Sequence, residues 1–225
     1  MTVSAIIVCA GNSSRMCGVN KILAPLGERL VIGITMQKFE ACESVKEIIV
    51  VARETDIPTI EAEAKAAGIT KLTACVTGGS TRQKSVINGI RCISSDTDLI
   101  SVHDGARPLV KSEHIEKVIK DASVFGGAAL GVQVKDTIKM VEDGLITDTP
   151  PRKFLYITQT PQIFKRRLYF EGVDFALEHD LDFTDDCQLV EAIGGKVAMT
   201  TGDYTNIKIT TPEDIAIAKV LMSIE

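Results

Sequence analysis

Along the chain, apolar and polar positions follow two alternating periods. Continuous apolar runs of strand length occupy 3–9, 47–52, 72–77, 98–102 and 127–134. Between them, near 30–42, 56–67, 83–93 and 112–124, apolar residues recur at helical spacing. Uninterrupted apolar runs suit strands covered on both faces. Strand and helix alternating over short links predict βαβ units, and so an α/β chain with a mostly parallel sheet flanked by helices. In such sheets ligands gather outside the carboxyl ends of the strands. The residues that follow each apolar run are therefore where chemistry is sought.

The alternation breaks at 135–151. Lys135 to Val141 alternates as a strand, Glu142-Asp143-Gly144 has hairpin-turn chemistry, and Leu145 to Thr149 can return. This predicts a β-hairpin arm projecting from the domain, suited to dimer contacts. Helical patterns resume near 165–179, 184–193 and 211–223, with a short strand at 196–200. Thr211-Pro212-Glu213-Asp214 marks a helix start, with Thr211 as N-cap, Pro212 at the first position and acids in the first turn. No repeat or linker divides the chain, so residues 1–225 are expected to form a single domain.

Composition adds limits. Apolar residues are 45% of 225, with no tryptophan, so aliphatic side chains must fill the core. The net charge of −5 argues against a nucleic-acid partner, which needs a broad basic face. A local basic pocket for a small anion remains compatible with it. No run reaches the roughly 20 apolar residues of a membrane helix, and the N-terminus has no basic segment of a secretory signal. A cytoplasmic location is expected. The six cysteines, at 9, 17, 42, 75, 92 and 187, have no metal-binding spacing, and those in apolar stretches, Cys9, Cys42 and Cys75, read as small buried residues.

Four places carry candidate chemistry. The first apolar run ends in Ala10-Gly11-Asn12-Ser13-Ser14-Arg15-Met16, with Lys21 shortly after. Small residues there let backbone N–H groups approach phosphate oxygens, and Arg15 and Lys21 add a fork and a point charge. An ordinary polar turn with two solvated cations fits the same spacing. Neither the P-loop pattern nor the dinucleotide fingerprint is present, which argues against a dinucleotide-dependent oxidoreductase. A second turn, Gly78-Gly79-Ser80-Thr81-Arg82-Gln83-Lys84-Ser85, opens a helix and offers close approach to an anion, or simply a capped glycine turn. In Val102-His103-Asp104-Gly105-Ala106-Arg107, Asp104 at a strand end can present a carboxylate to Mg²⁺ and Arg107 can bind a phosphate. The two can equally form a salt bridge with each other, and His103 reads as structural. Last come Arg152, after the hairpin, and Lys208, in an apolar strand where a lysine needs an anionic partner. Thr184-Asp185-Asp186 reads as a helix cap.

Taken in order, AGNSSRM, NK, GGSTRQKSV, VHDGARP, KDTIK, TPQIF, TDD and NIKITTPED resemble the 2-C-methyl-D-erythritol 4-phosphate cytidylyltransferases, from Ile6 to about Leu221. The resemblance implies a Rossmann-like nucleotidyltransferase sheet, Mg²⁺ as cofactor and a homodimer whose arm is the hairpin at 135–151. It implies transfer of CMP from CTP to a small polyol phosphate, with pyrophosphate released. By position, Arg15 and Lys21 match the pair that stabilises charge at the α-phosphate, and Arg152 and Lys208 those that hold the acceptor phosphate. Ala10, Gly11, Gly79 and Ser85 match the cytidine pocket. Asp104, Arg107, Thr137, Thr160 and Thr184 match the surroundings of the metal and the second substrate. Two positions depart from the family's habit: Asn20 stands where proline is common, and Ser80 where an acid is frequent. A sister cytidylyltransferase using ribitol 5-phosphate, or a non-catalytic nucleotide-binding protein, would share the first loop.

Overall fold

A computed structural model of the chain describes residues 1–11 and 20–224. Strand β1 (Val3–Val8) is followed by the short pair β2 (Pro25–Leu26) and β3 (Arg29–Leu30), then helix α1 (Val31–Glu40). Next come β4 (Val45–Ala52), α2 (Ile57–Ala66), β5 (Leu72–Thr77), α3 (Arg82–Ile90), β6 (Leu99–Asp104), α4 (Ser112–Phe125) and β7 (Gly127–Gln133). The arm holds β8 (Met140–Glu142) and β9 (Leu145–Asp148), after which β10 (Tyr156–Lys165) returns to the body. Helices α5 (Arg166–Glu178) and α6 (Cys187–Ala192), strand β11 (Val197–Thr201) and helix α7 (Pro212–Met222) complete the described strands and α-helices.

Seven strands form the central sheet in the order β11-β7-β10-β6-β1-β4-β5. All neighbours are parallel except β10, which runs antiparallel to both β6 and β7. The mostly parallel sheet thus agrees with the apolar runs. Nothing in the apolar pattern predicted β10. Its centre is Thr158-Gln159-Thr160-Pro161-Gln162, and the register with β7 shifts between Thr158 and Gln162. A proline inside a strand is tolerated at such an irregularity, where no ladder hydrogen bond is required of it.

Side chains alternate across the sheet. Ala5 and Ile7 of β1 join one core cluster, built with Phe39 of α1, Ile60 of α2, Val118 of α4 and Ala218 of α7. Ile6 joins the other, with Val86 of α3, Tyr169 of α5 and Leu189 of α6. The period of two in the strands therefore creates two cores, one under each helix layer. Helix α4 shows why a helix forms where it does. Ile115, Val118, Ile119 and Ala122 are buried at helical spacing, and Gly126, at φ +99°, ends the helix in a conformation other residues avoid. At α7, the Asp214 carboxylate accepts the Thr211 N–H at 2.9 Å, which holds the predicted start.

The arm follows its turn chemistry. Asp143 and Gly144 have φ of +49° and +79°, the pair of positive values that a two-residue hairpin turn with the right-handed strand twist needs. Every residue from Lys135 to Thr149 is exposed. No described helix is long and apolar enough to cross a membrane.

Candidate active site

The carboxyl ends of β1, β4, β5 and β6 share one edge of the sheet, since Val8 pairs with both Val51 and Asp104, and Ala52 pairs with Thr77. The loops leaving these ends close around a cleft of about 350 Å³. Ala10, Gly11, Lys21, Gly79, Ser85, Asp104 and Lys208 all line it, together with Arg82. Lys208 reaches this edge because the Ile209 N–H donates to the Ala106 carbonyl at 2.8 Å, laying the late segment beside the end of β6.

Close approach shapes the cleft. A Cβ at Gly78 would collide with the Ala10 side chain, and one at Gly105 with the Cys9 sulfur. Glycine at both positions lets the three loops meet. The second loop is held from within: the Ser85 hydroxyl accepts the Gly79 N–H at 3.0 Å and donates to the Thr81 carbonyl at 2.8 Å. Thr81 caps α3 by accepting the Lys84 N–H. Burial pushes the Cys9 thiol well up, so at neutral pH it is a protonated floor residue, not a nucleophile.

Asp104 is the electrostatic centre. Its Oδ2 lies 2.8 Å from Lys208 Nζ and 3.7 Å from Arg107 Nε, and its Oδ1 lies 3.7 Å from Arg82 Nε. Burial alone would raise its pKa, but Lys208, Arg82 and Arg107 together hold it well below the usual carboxylate range. Arg82 is itself anchored by Asp186, 2.7 Å away, and Asp186 accepts the Tyr169 hydroxyl at 2.6 Å. Burial works against the charged guanidinium, yet the two carboxylates raise its pKa overall.

Beneath Asp104 lies a network of hydrogen bonds. The Thr160 hydroxyl oxygen accepts the Asp104 N–H at 3.0 Å and is 3.0 Å from His103 Nδ1, while His103 Nε2 is 3.1 Å from the Arg107 carbonyl. The pattern suits a neutral imidazole, with Nε2–H donating to Arg107 and Nδ1 accepting from Thr160. His103 is fully buried, and that burial lowers its pKa to about 4. Asn206 donates to the Thr160 carbonyl at 3.0 Å, and Arg107 Nη1 donates to the Asn206 carbonyl at 2.8 Å. Arg107 is thus engaged with Asp104 and Asn206, the salt-bridge alternative, and is not among the cleft's lining residues.

The other candidates lie elsewhere. Arg15 is outside the described residues. Arg152 is exposed at the base of the arm, where its Nη1 donates to the Lys135 carbonyl at 2.6 Å. Thr137 is exposed on the arm itself. Thr184 is exposed before α6, with its N–H and hydroxyl both donating to Gln188 Oε1 at 3.0 Å. None of these three lines the cleft. Conversely, Arg82 and Asp186 were not singled out from sequence. Arg82 lies within the second glycine turn, and its carboxylate partner, Asp186, lies far along the chain.

The comparisons with known proteins agree in kind. The family model for 2-C-methyl-D-erythritol 4-phosphate cytidylyltransferase (IspD) matches residues 3–224. A protein of that description from Caldanaerobacter subterraneus subsp. tengcongensis is 43% identical, over 99% of each chain. Another from Syntrophotalea carbinolica is 41% identical, over 99% of this chain and 97% of its own. Among solved structures, 4-diphosphocytidyl-2C-methyl-D-erythritol synthase from Anaerococcus prevotii superposes with a TM-score of 0.88 at 31% identity, covering 99% of this chain and 96% of that one. The Thermus thermophilus 2-C-methyl-D-erythritol 4-phosphate cytidylyltransferase gives 0.81 at 31% identity, covering 99% and 100%.

Proposed function

The chain belongs to the 2-C-methyl-D-erythritol 4-phosphate cytidylyltransferase family, and on that premise we propose how its residues carry the reaction. The enzyme transfers CMP from CTP to 2-C-methyl-D-erythritol 4-phosphate, releasing pyrophosphate and forming the CDP-alcohol of isoprenoid biosynthesis. The acceptor's phosphate oxygen attacks the α-phosphorus in line, so no side-chain nucleophile is needed. The barrier is repulsion between two anions plus charge growing on the α-phosphate, and fixed cations in a cleft lower both contributions.

The observation that carries this reading is the convergence of Lys21, Lys208 and Arg82 on one cleft beside Asp104. Lys21, with Arg15, is assigned to the α-phosphate. Lys208, whose ammonium rests on Asp104 until substrate arrives, is assigned with Arg152 to the acceptor phosphate. Ala10, Gly11, Gly79 and Ser85 are assigned to the nucleotide through their lining of the same cleft. Thr160 acts from below by fixing the Asp104 backbone, and Arg107 by balancing its charge.

Magnesium is the proposed metal. No cluster of three or more His, Cys, Asp or Glu able to hold a metal occurs among the described residues. The donors therefore suit a cation ligated mainly by substrate phosphates and water, as Mg²⁺ usually is. Asp104 Oδ1, 3.7 Å from Arg82 Nε, would supply the protein ligand. Bound there, the metal would neutralise phosphate charge.

A homodimer is the proposed assembly and the cytoplasm the proposed location. The arm and its base expose Met140, Val141, Leu145, Ile146 and Phe154, with Leu145 and Phe154 each 72% accessible. Apolar side chains gathered on a projecting hairpin favour burial against a second copy. Arg152 and Thr137 lie on this arm and away from their own cleft, so they would serve the partner's. The decisive assay is pyrophosphate release from CTP with 2-C-methyl-D-erythritol 4-phosphate, against ribitol 5-phosphate as acceptor. Faster turnover of ribitol 5-phosphate would overturn the assignment.

A further inference from the structure

Lys21 ends in an ammonium on a flexible four-carbon stem, so where its charge sits depends on how firmly its backbone is held. Asn20, the residue before it, makes two side-chain hydrogen bonds of opposite sense. Its Nδ2 donates to Asp56 Oδ2 at 2.9 Å, and its Oδ1 accepts the Ile22 N–H at 3.2 Å. Its carbonyl accepts the Leu23 N–H at 3.1 Å. The Lys21 backbone is therefore bracketed on both sides by bonds from one residue. Asp56 in turn is buried and fixed by Arg53, with Nε at 2.7 Å and Nη2 at 3.1 Å. Arg53 directly follows β4, a strand of the central sheet. Beyond the bracket, buried Ile22 accepts the Ile32 N–H at 3.1 Å. Lys21 and Ile22 both line the cleft, which sets the clamp beside it.

We infer that Asn20 is a positioning residue for Lys21, tying the cleft end of the first loop to the sheet through Asp56 and Arg53. The inference rests on the role given to Lys21 above. The side chain must both donate to a carboxylate and accept from a backbone N–H. Asparagine does both at this length, alanine does neither, and aspartate would face Asp56 with a second negative charge.

The test is a double-mutant cycle in the CTP-dependent pyrophosphate assay, comparing wild type, Asn20→Ala, Lys21→Ala and the double variant. Asn20→Ala is expected to lower kcat by about 10-fold to 10²-fold, the scale of a reacting group displaced by about 1 Å, while KM for the acceptor moves less than about twofold. In the Lys21→Ala background it should have no further effect, because nothing is left to position. An equal loss in both backgrounds means a merely structural role and overturns the inference, as does wild-type kcat in Asn20→Ala. Wild-type kcat in Lys21→Ala would instead remove the premise, and the inference with it. Should Asn20→Ala unfold, Asn20→Asp decides: it should lower kcat in the otherwise wild-type protein and have no further effect in the Lys21→Ala background. An equal loss in both backgrounds overturns the clamp.

Discussion

The end of β6 and the arm are built on opposite terms. At the end of β6, Asp104 is buried, faces three cations, and has its backbone N–H held by Thr160, itself held by Asn206. Most polar groups there find partners within the chain, the buried Asn206 Oδ1 being an exception. On the arm, Lys135 to Thr149 are exposed, and the apolar side chains of Met140, Val141, Leu145 and Ile146 lie uncovered. Buried polar groups must be satisfied where they stand, whereas an apolar surface can wait for a second molecule. On the reading proposed above, one part of the chemistry stands within a single chain and the other would be supplied by a second copy. The difference also reconciles a net charge of −5 with anionic substrates: Lys21, Arg82 and Lys208 gather at one sheet edge, where they focus the field.

The largest effect tests the complete half. Lys21→Ala should lower kcat by on the order of 10²-fold or more, as the loss of one fixed donor to a transition-state anion does elsewhere. Steady-state pyrophosphate release checks it, and a loss confined to KM would mean Lys21 only binds CTP. The incomplete half is tested next. Arg152→Ala should lower turnover with the acceptor by about 10-fold or more while CTP binding holds. Mixing Lys21→Ala and Arg152→Ala proteins, after unfolding and refolding together, should then restore activity. Each mixed dimer has one cleft that takes Lys21 from one chain and Arg152 from the other. If Arg152 serves its own cleft, the mixture stays as slow as its parents. Leu145→Glu should shift the protein toward monomer in sedimentation equilibrium.

The same contrast decides how much could be read from sequence. Strands such as β1 and β4 announce themselves because burial on both faces demands unbroken apolar runs. The arm's turn was legible because Asp143-Gly144 is chemistry with one geometric use. Strand β10 was not legible. Its buried Gln159, Thr160 and Gln162 look like a loop until their partners, Asp203, Asn206 and Asp186, are brought in by the fold. In the cleft, Asp104 and Lys208 were found as separate motifs, but their 2.8 Å contact joins two loops distant in sequence. Arg82 was missed for the same reason: its role is set by Asp186 and Asp104, not by its neighbours along the chain.

A smaller effect concerns acid. His103 is neutral and buried, with its pKa lowered to about 4, so the unfolded chain binds a proton near pH 6.5 that the folded chain refuses. Stability is therefore whole above that pH and falls as pH drops from about 6.5 to 4, by up to about 3 kcal/mol. Asp104 has the same sense, since its pKa is lowered too, but its contribution is lost at more acid pH, from the ordinary carboxylate range downward, so the two windows separate. Denaturant melts across pH should show the slope in wild type and not in His103→Asn. A slope that survives in the variant would assign it to other groups.

The smallest effect isolates one atom of the network beneath Asp104. Thr160→Val keeps the shape of the side chain but removes the oxygen that accepts the Asp104 N–H. A buried donor left without a partner costs about 1–3 kcal/mol, and the His103 ring loses the hydrogen bond at Nδ1 as well. Thr160→Ser retains the hydroxyl and should cost under about 1 kcal/mol, from one lost methyl. The measurement is the difference between the two variants in urea melts, read with kcat. If the network only stabilises, both variants keep wild-type kcat. If Thr160 also aims Asp104, Thr160→Val alone slows turnover, and added Mg²⁺ does not recover it. Equal stabilities for the valine and serine variants would mean the Asp104 N–H finds another acceptor, and the end of β6 would then be as open to outside partners as the arm.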